Sequence, residues 1–96
     1  MLRTVTEILF TLLTDAAAAA YPDDRVEVQE IAPCSEVFGP DATDPGNPAW
    51  CVTVTGVDHG GADTPHVVEI GAYGGVAWRG WYRNASGGYS LVWSYD

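Results

Sequence analysis

The chain is expected to adopt an α+β fold, with one N-terminal amphipathic helix packed on a five-stranded antiparallel sheet. Three features of the sequence lead there. Apolar residues recur at helical spacing over residues 2–20, five later segments are rich in β-branched and aromatic residues, and short glycine-containing stretches link the last three of those segments. Ninety-six residues correspond to a single domain spanning 1–96, and neither a repeat nor a linker divides it. A hydrophobic fraction of 47% with four Trp and five Tyr supplies a core and argues against global disorder.

Placed at ~100° per residue, Val5, Ile8, Leu9, Leu12, Leu13, Ala16, Ala19 and Ala20 fall within one arc, and Phe10 alone departs from it. Thr4, Glu7, Thr11, Thr14 and Asp15 take the opposite side. Glu7 would interrupt the apolar stretch of a secretory leader but suits the wet face of a helix, so a cytoplasmic location is expected. The segment is too short and too polar on one side to cross a bilayer. Pro22 ends it, because the residue before a proline avoids helical backbone angles.

The first strand is expected at 25–32, with Val26 and Val28 inward and Glu27 and Gln29 outward. Ile31 breaks that alternation, and a bulge near Gln29-Glu30 would restore it. A long irregular loop is expected from Pro33 to Ala49, marked by Gly39-Pro40, Pro45-Gly46 and Asn47-Pro48. The second strand follows at 50–57, with Trp50, Val52 and Val54 on one face and Cys51, Thr53 and Thr55 on the other. Strands at 66–73, 76–84 and 89–95 form a meander through Gly74-Gly75 and the turn Asn84 to Gly88. Strict alternation groups Val76, Trp78, Gly80 and Tyr82 against Ala77, Arg79, Trp81 and Arg83. In the last strand it sets Tyr89, Leu91, Trp93 and Tyr95 against Ser90, Val92 and Ser94, and the apolar sets make one face that the helix covers.

No enzyme motif is present: there is no nucleophile elbow, phosphate-cradling glycine loop or metalloprotease helix. The chain is therefore expected not to be an enzyme, to need no cofactor and to act as a monomer. Cys34, Cys51, His59 and His66 lack the close Cys pair and close His pair of zinc fingers, so no metal site is expected. Pro45 occupies a ligand position in the calcium-loop-like stretch Asp41 to Asn47. Cys34 and Cys51 flank the long loop. If their strands pair, the sulfurs come within bridging distance, whereas a cytoplasmic location favours two thiols. Arg79, Trp81 and Arg83 share a strand face. They either offer a stacking surface or pack structurally, with Glu69 of the neighbouring strand as ionic partner.

Charge is the remaining signal. Thirteen acids against four arginines and no lysine give a formal charge of −9, which repels nucleic acid and anionic membrane and attracts a basic protein surface. Asp23, Asp24, Glu27, Glu30, Glu36, Asp41 and Asp44 lie within 22 residues that contain only Arg25 as a base. Asp58 and Asp63 lie on a later connection. These nine are the candidate partner-binding residues. Carboxylates on a rigid frame present a basic channel with charges spaced as a phosphate backbone spaces them. The competing reading is a solvated acidic edge that aids solubility and blocks strand-to-strand association.

In size, acidity and one-helix-plus-sheet layout, the chain resembles phage-encoded inhibitors of bacterial defence, especially DNA-mimicking anti-CRISPR proteins. The resemblance is one of charge and size and includes no shared motif. It implies a stoichiometric inhibitor that occupies the DNA-binding site of a CRISPR–Cas surveillance complex in an infected bacterial cytoplasm. The alternative is a small sugar- or peptide-binding module that uses Trp81, or aromatics of the final strand, on an open sheet face.

Overall fold

The computed structural model describes residues 5–39, 49–58, 63–71 and 77–94. Their order is α1 (Val5–Ala19), β1 (Glu27–Pro33), α2 (Cys34–Phe38), β2 (Ala49–Thr55), β3 (His66–Gly71), β4 (Ala77–Arg83) and β5 (Tyr89–Ser94). The strands form one antiparallel sheet in the order β1-β2-β3-β4-β5, with β1 and β5 at its edges. The α+β fold, with an N-terminal helix on a five-stranded antiparallel sheet, is as expected. The Gly74-Gly75 turn lies outside the described residues.

The helix face of the sheet is built from β-branched residues that alternate inward. Val52, Val54, Val68 and Ile70 are fully buried, together with Leu13 and Ala17 of α1. Each of the buried valines, Leu13 and Ile70 stabilises the fold by about 1.5–3 kcal/mol relative to exposure. Leu9, Ala16 and Ala20 join the same layer, and Val28, Ile31 and Trp50 pack against it from β1 and β2, with Val26 just ahead of β1. Between Val28 and Glu30 the β1–β2 register shifts, which returns Ile31 to the core beside Val52. The bulge expected near Gln29-Glu30 is therefore present. Gln29 turns outward and its Nε2 donates to Thr55 Oγ1 at 3.0 Å.

The apolar arc of α1 is narrower than its sequence suggests. Ile8 and Leu12 are 47% and 59% exposed, and Ala19 is also exposed, so the contact stripe centres on Leu9, Leu13, Ala16 and Ala17. The sheet does not wrap around the helix far enough to reach the other flank.

Two further bulges redistribute the aromatic residues. Between Glu69 and Ile70 the β3–β4 register shifts, so Ala77 sits opposite Ile70 in the helix-side core while Trp78 joins the other face. Between Gly80 and Trp81 the β4–β5 register shifts, so Trp93 sits opposite Gly80 under the helix while Tyr89 faces away. Strict alternation had paired Trp78 with Gly80 and Tyr89 with Trp93, and both pairings are corrected. Trp93 lies directly over Gly80, where a Cβ would meet its ring, with Trp93 Cζ2 only 2.8 Å away. The ring makes an edge contact with Tyr21 at 6.2 Å, and Tyr21 makes another with the buried His66 at 6.1 Å.

The second face of the sheet is covered as well. The stretch from Pro33 to Ala49 was expected to be irregular, but it opens with α2, too short to register as a period. Cys34, Ala49, Cys51 and Val67 are buried there, with Val37, Phe38, Trp78, Trp81 and Tyr89 packed around them. Phe38 meets Trp81 at 5.3 Å between ring centroids and Tyr89 edge-on at 5.2 Å. Cys34 and Cys51 form a disulfide, with their Cα atoms 5.0 Å apart. Ala32 pairs with Cys51, so the β1–β2 register itself brings residue 34 beside Cys51. The sheet thus has a cover on each side rather than on one.

Candidate functional site

The acidic residues follow from the topology. β1 is an edge strand, and its outward alternation places Glu27 opposite Thr55 and Glu30 opposite Thr53, on the face away from α1. Both are exposed. Asp23 and Asp24 lie in the turn that enters β1, and Asp58 follows β2, which runs antiparallel beside it. The carboxylate of Asp24 accepts a hydrogen bond from the Asp58 backbone N–H at 3.4 Å, tying the two connections together. Asp63 precedes His66, which pairs with Val54 at that same end of the sheet. One end of the sheet therefore carries Asp23, Asp24, Asp58 and Asp63, and β1 extends that end along its edge through Glu27 and Glu30. At ~3.3 Å per residue, the seven residues of β1 give the edge a length of about 20 Å.

Glu36 is exposed on α2, which lies over the face toward which Glu27 and Glu30 point. Asp41 and Asp44 lie outside the described residues. The structure thus brings Asp23, Asp24, Glu27, Glu30, Asp58 and Asp63 onto one continuous margin and sets Glu36 on the adjoining face. Among the described residues, no basic side chain forms an ion pair with any of these seven acids.

Gly56 holds the corner where the two connections meet. Its φ is +94°, and a Cβ there would collide with the Arg25 carbonyl oxygen and lie 3.4 Å from Val26 Cα. Only glycine combines that backbone angle with that close approach. The residue therefore sets how near Asp58 comes to Asp24.

The basic and aromatic stripe is absorbed into packing. The Arg79 guanidinium lies 5.4 Å from the Trp78 ring centre, and Trp81 is half-buried beneath Phe38. Glu69 is buried opposite Arg79, but its carboxylate accepts the Trp81 indole N–H at 2.5 Å. The ionic partnership expected between Glu69 and the arginines is thus replaced by a hydrogen bond to Trp81. Among the described residues, the aromatic residues expected to stack on a ligand are engaged, Trp81 and Tyr89 against Phe38 and Trp93 against Tyr21, while Tyr95 lies outside the described residues. The exposed apolar side chains of the last strand are Leu91 and Val92.

Cys34 and Cys51 are joined to each other, so neither offers a thiolate to a metal. His59 lies outside the described residues. Among the described residues, no group of three or more His, Cys, Asp or Glu side chains converges as a metal site would require. No helix among them is long and apolar enough to cross a membrane.

Sequence reasoning missed α2 and with it the Phe38 contacts that cover Trp81 and Tyr89. The available signal was Pro33, which suits the start of a helix, followed by Val37 and Phe38 one turn beyond Cys34. No protein-family model, curated protein or solved structure matches this chain.

Proposed function

We propose that the chain is a stoichiometric protein inhibitor whose acidic margin occupies the nucleic-acid-binding site of a basic partner. The observation that carries this reading is the continuity of the margin. Six carboxylates from three separate segments share one end and one edge of a rigid sheet, and no described arginine neutralises them. Carboxylates held in this way accept charge-assisted hydrogen bonds from Arg and Lys side chains, as phosphate oxygens do. Their summed field also steers a basic surface toward the margin before contact.

In this mechanism the site is blocked by occupancy alone. Asp23, Asp24, Glu27, Glu30, Asp58 and Asp63 make the principal contact, and Glu36, Asp41 and Asp44 extend it. The resemblance to DNA-mimicking anti-CRISPR proteins supplies the partner class, a CRISPR–Cas surveillance complex in the cytoplasm of an infected bacterium. Exposed charges are screened over about 8 Å at physiological ionic strength, so binding weakens steeply as salt rises.

A pull-down from bacterial lysate at low and at high salt tests the reading. Recovery of a nucleic-acid-binding complex at low salt alone supports it. Recovery of the same partners at both salts, or retention of a sugar or neutral peptide instead, refutes it.

A further inference from the structure

The Cys34–Cys51 bridge holds an element that has little else to hold it. α2 is five residues long, and Pro33 provides no side-chain cap to its first turn. A single isolated helical turn is unstable in water, because nucleation costs more than so few hydrogen bonds return. α2 is pinned at its two ends. The disulfide fixes Cys34 to β2, and Phe38 packs on Trp81 and Tyr89. Cys34 and Cys51 are 0% and 1% exposed, so a reductant reaches the bridge only after α2 lifts from the sheet. The β1–β2 pairing does not depend on the bridge, because Val28, Ile31, Val52 and Val54 hold it from the opposite face.

From this arrangement we infer that α2 is a redox latch: oxidation seats it on the second face of the sheet, and a dithiol reductant releases it. In the releasing step, a reductant thiolate attacks one sulfur of the bridge, the S–S bond breaks and a mixed disulfide forms. The second thiol of the reductant then displaces the protein sulfur and leaves as a cyclic disulfide. Two electrons and two protons end on Cys34 and Cys51. With the covalent pin gone, only the packing of Val37 and Phe38 retains α2, and opening exposes Trp81 and its hydrogen bond to Glu69. The latch also deepens the functional proposal and in that respect rests on it. The bridge holds α2, which carries Glu36, so reduction frees that carboxylate from the fixed margin of Glu27 and Glu30.

The test compares oxidised protein, protein reduced with dithiothreitol, and the Cys34→Ser/Cys51→Ser double variant by amide exchange and acrylamide quenching of tryptophan fluorescence. Exchange of the Gly39 amide, which donates to the Ser35 carbonyl at the end of α2, should accelerate at least about tenfold on reduction, while β2 and β3 amides stay protected. Quenching should rise in parallel. Phe38→Ala, with the bridge intact, should be reduced faster than wild type because its cover is loosened. Equal exchange and quenching in both redox states would overturn the latch. So would equal loss of protection in β2 and β3, which would make the bridge a staple of the whole fold. Binding to poly-lysine, measured in parallel, separates the two proposals. Weaker binding on reduction supports the coupling, and unchanged binding with an opened α2 overturns the coupling alone. Failure of the oxidised protein to bind poly-lysine would count against the acidic-margin reading and leave the latch standing.

Discussion

Gly80→Ala isolates the packing that locks the last two strands together. Gly80 pairs with Trp93, whose indole lies directly over the glycine Cα, and an alanine Cβ would overlap the ring. Trp93 has little room to retreat, because Tyr21 contacts it edge-on from α1's end of the core. In an open strand position, replacing glycine by alanine gains about 0.5–1 kcal/mol from reduced backbone entropy. Overpacking a filled site costs about 1–3 kcal/mol, and a Cβ overlapping three atoms of the ring takes the upper part of that range, so the clash wins and the net loss is about 1–2 kcal/mol. For a domain of this size, such a loss lowers the melting temperature by roughly 4–16 °C. Gly71→Ala is the control, since a Cβ there meets nothing within 4 Å. That variant should melt at or slightly above wild type. The assay is thermal unfolding followed by near-ultraviolet circular dichroism, with Gly80→Ala repeated in a Trp93→Leu background, where most of the penalty should disappear. A Gly80→Ala protein as stable as Gly71→Ala would refute the placement of Trp93 and, with it, the β4–β5 register.

Other consequences are open to measurement. Gly56→Ala places a side chain at φ +94° against the Arg25 carbonyl, so it should destabilise by more than about 1 kcal/mol, where a Gly→Ala change at an open position would stabilise. Tyr21 has its hydroxyl pushed above the usual tyrosine range, first by burial and further by the nearby Asp24 carboxylate, while the Trp93 indole opposes both. The unfolded tyrosine therefore ionises first, and its contribution is complete below pH ~10 and fades as pH rises through the higher folded value. Urea midpoints measured across that alkaline range should fall for wild type and fall less for Tyr21→Phe.

Much of this architecture can be reasoned from residues, and its failures have physical causes. Ile31 announced the β1 bulge because an apolar residue arrived one position late after Glu30. The bulges in β4 and β5 gave no such sign. Ala77 and Trp78 are both apolar, and so are Leu91, Val92 and Trp93, so either face accepts either neighbour and alternation stays silent. α2 was hidden because five residues do not establish a helical period. Ile8 and Leu12 looked buried because periodicity defines an apolar arc without specifying how much of it the sheet can reach. The local cluster Asp23 to Glu30 was visible in the sequence. Its union with Asp58 and Asp63 followed from β2 running antiparallel beside β1, a consequence of topology that spacing alone does not contain.

The acidic margin is tested most directly by neutralising it without altering the fold. Asp24→Asn, Glu27→Gln, Glu30→Gln and Asp58→Asn keep side-chain shape and remove four charges from one edge and end. Titrated at low salt against a basic DNA-binding complex that the wild-type chain occupies, the fourfold variant should lose more than about tenfold in affinity and most of its salt dependence. Its melting temperature should stay near that of wild type. Undiminished binding by a folded fourfold variant would contradict the proposal that these carboxylates stand in for a phosphate backbone.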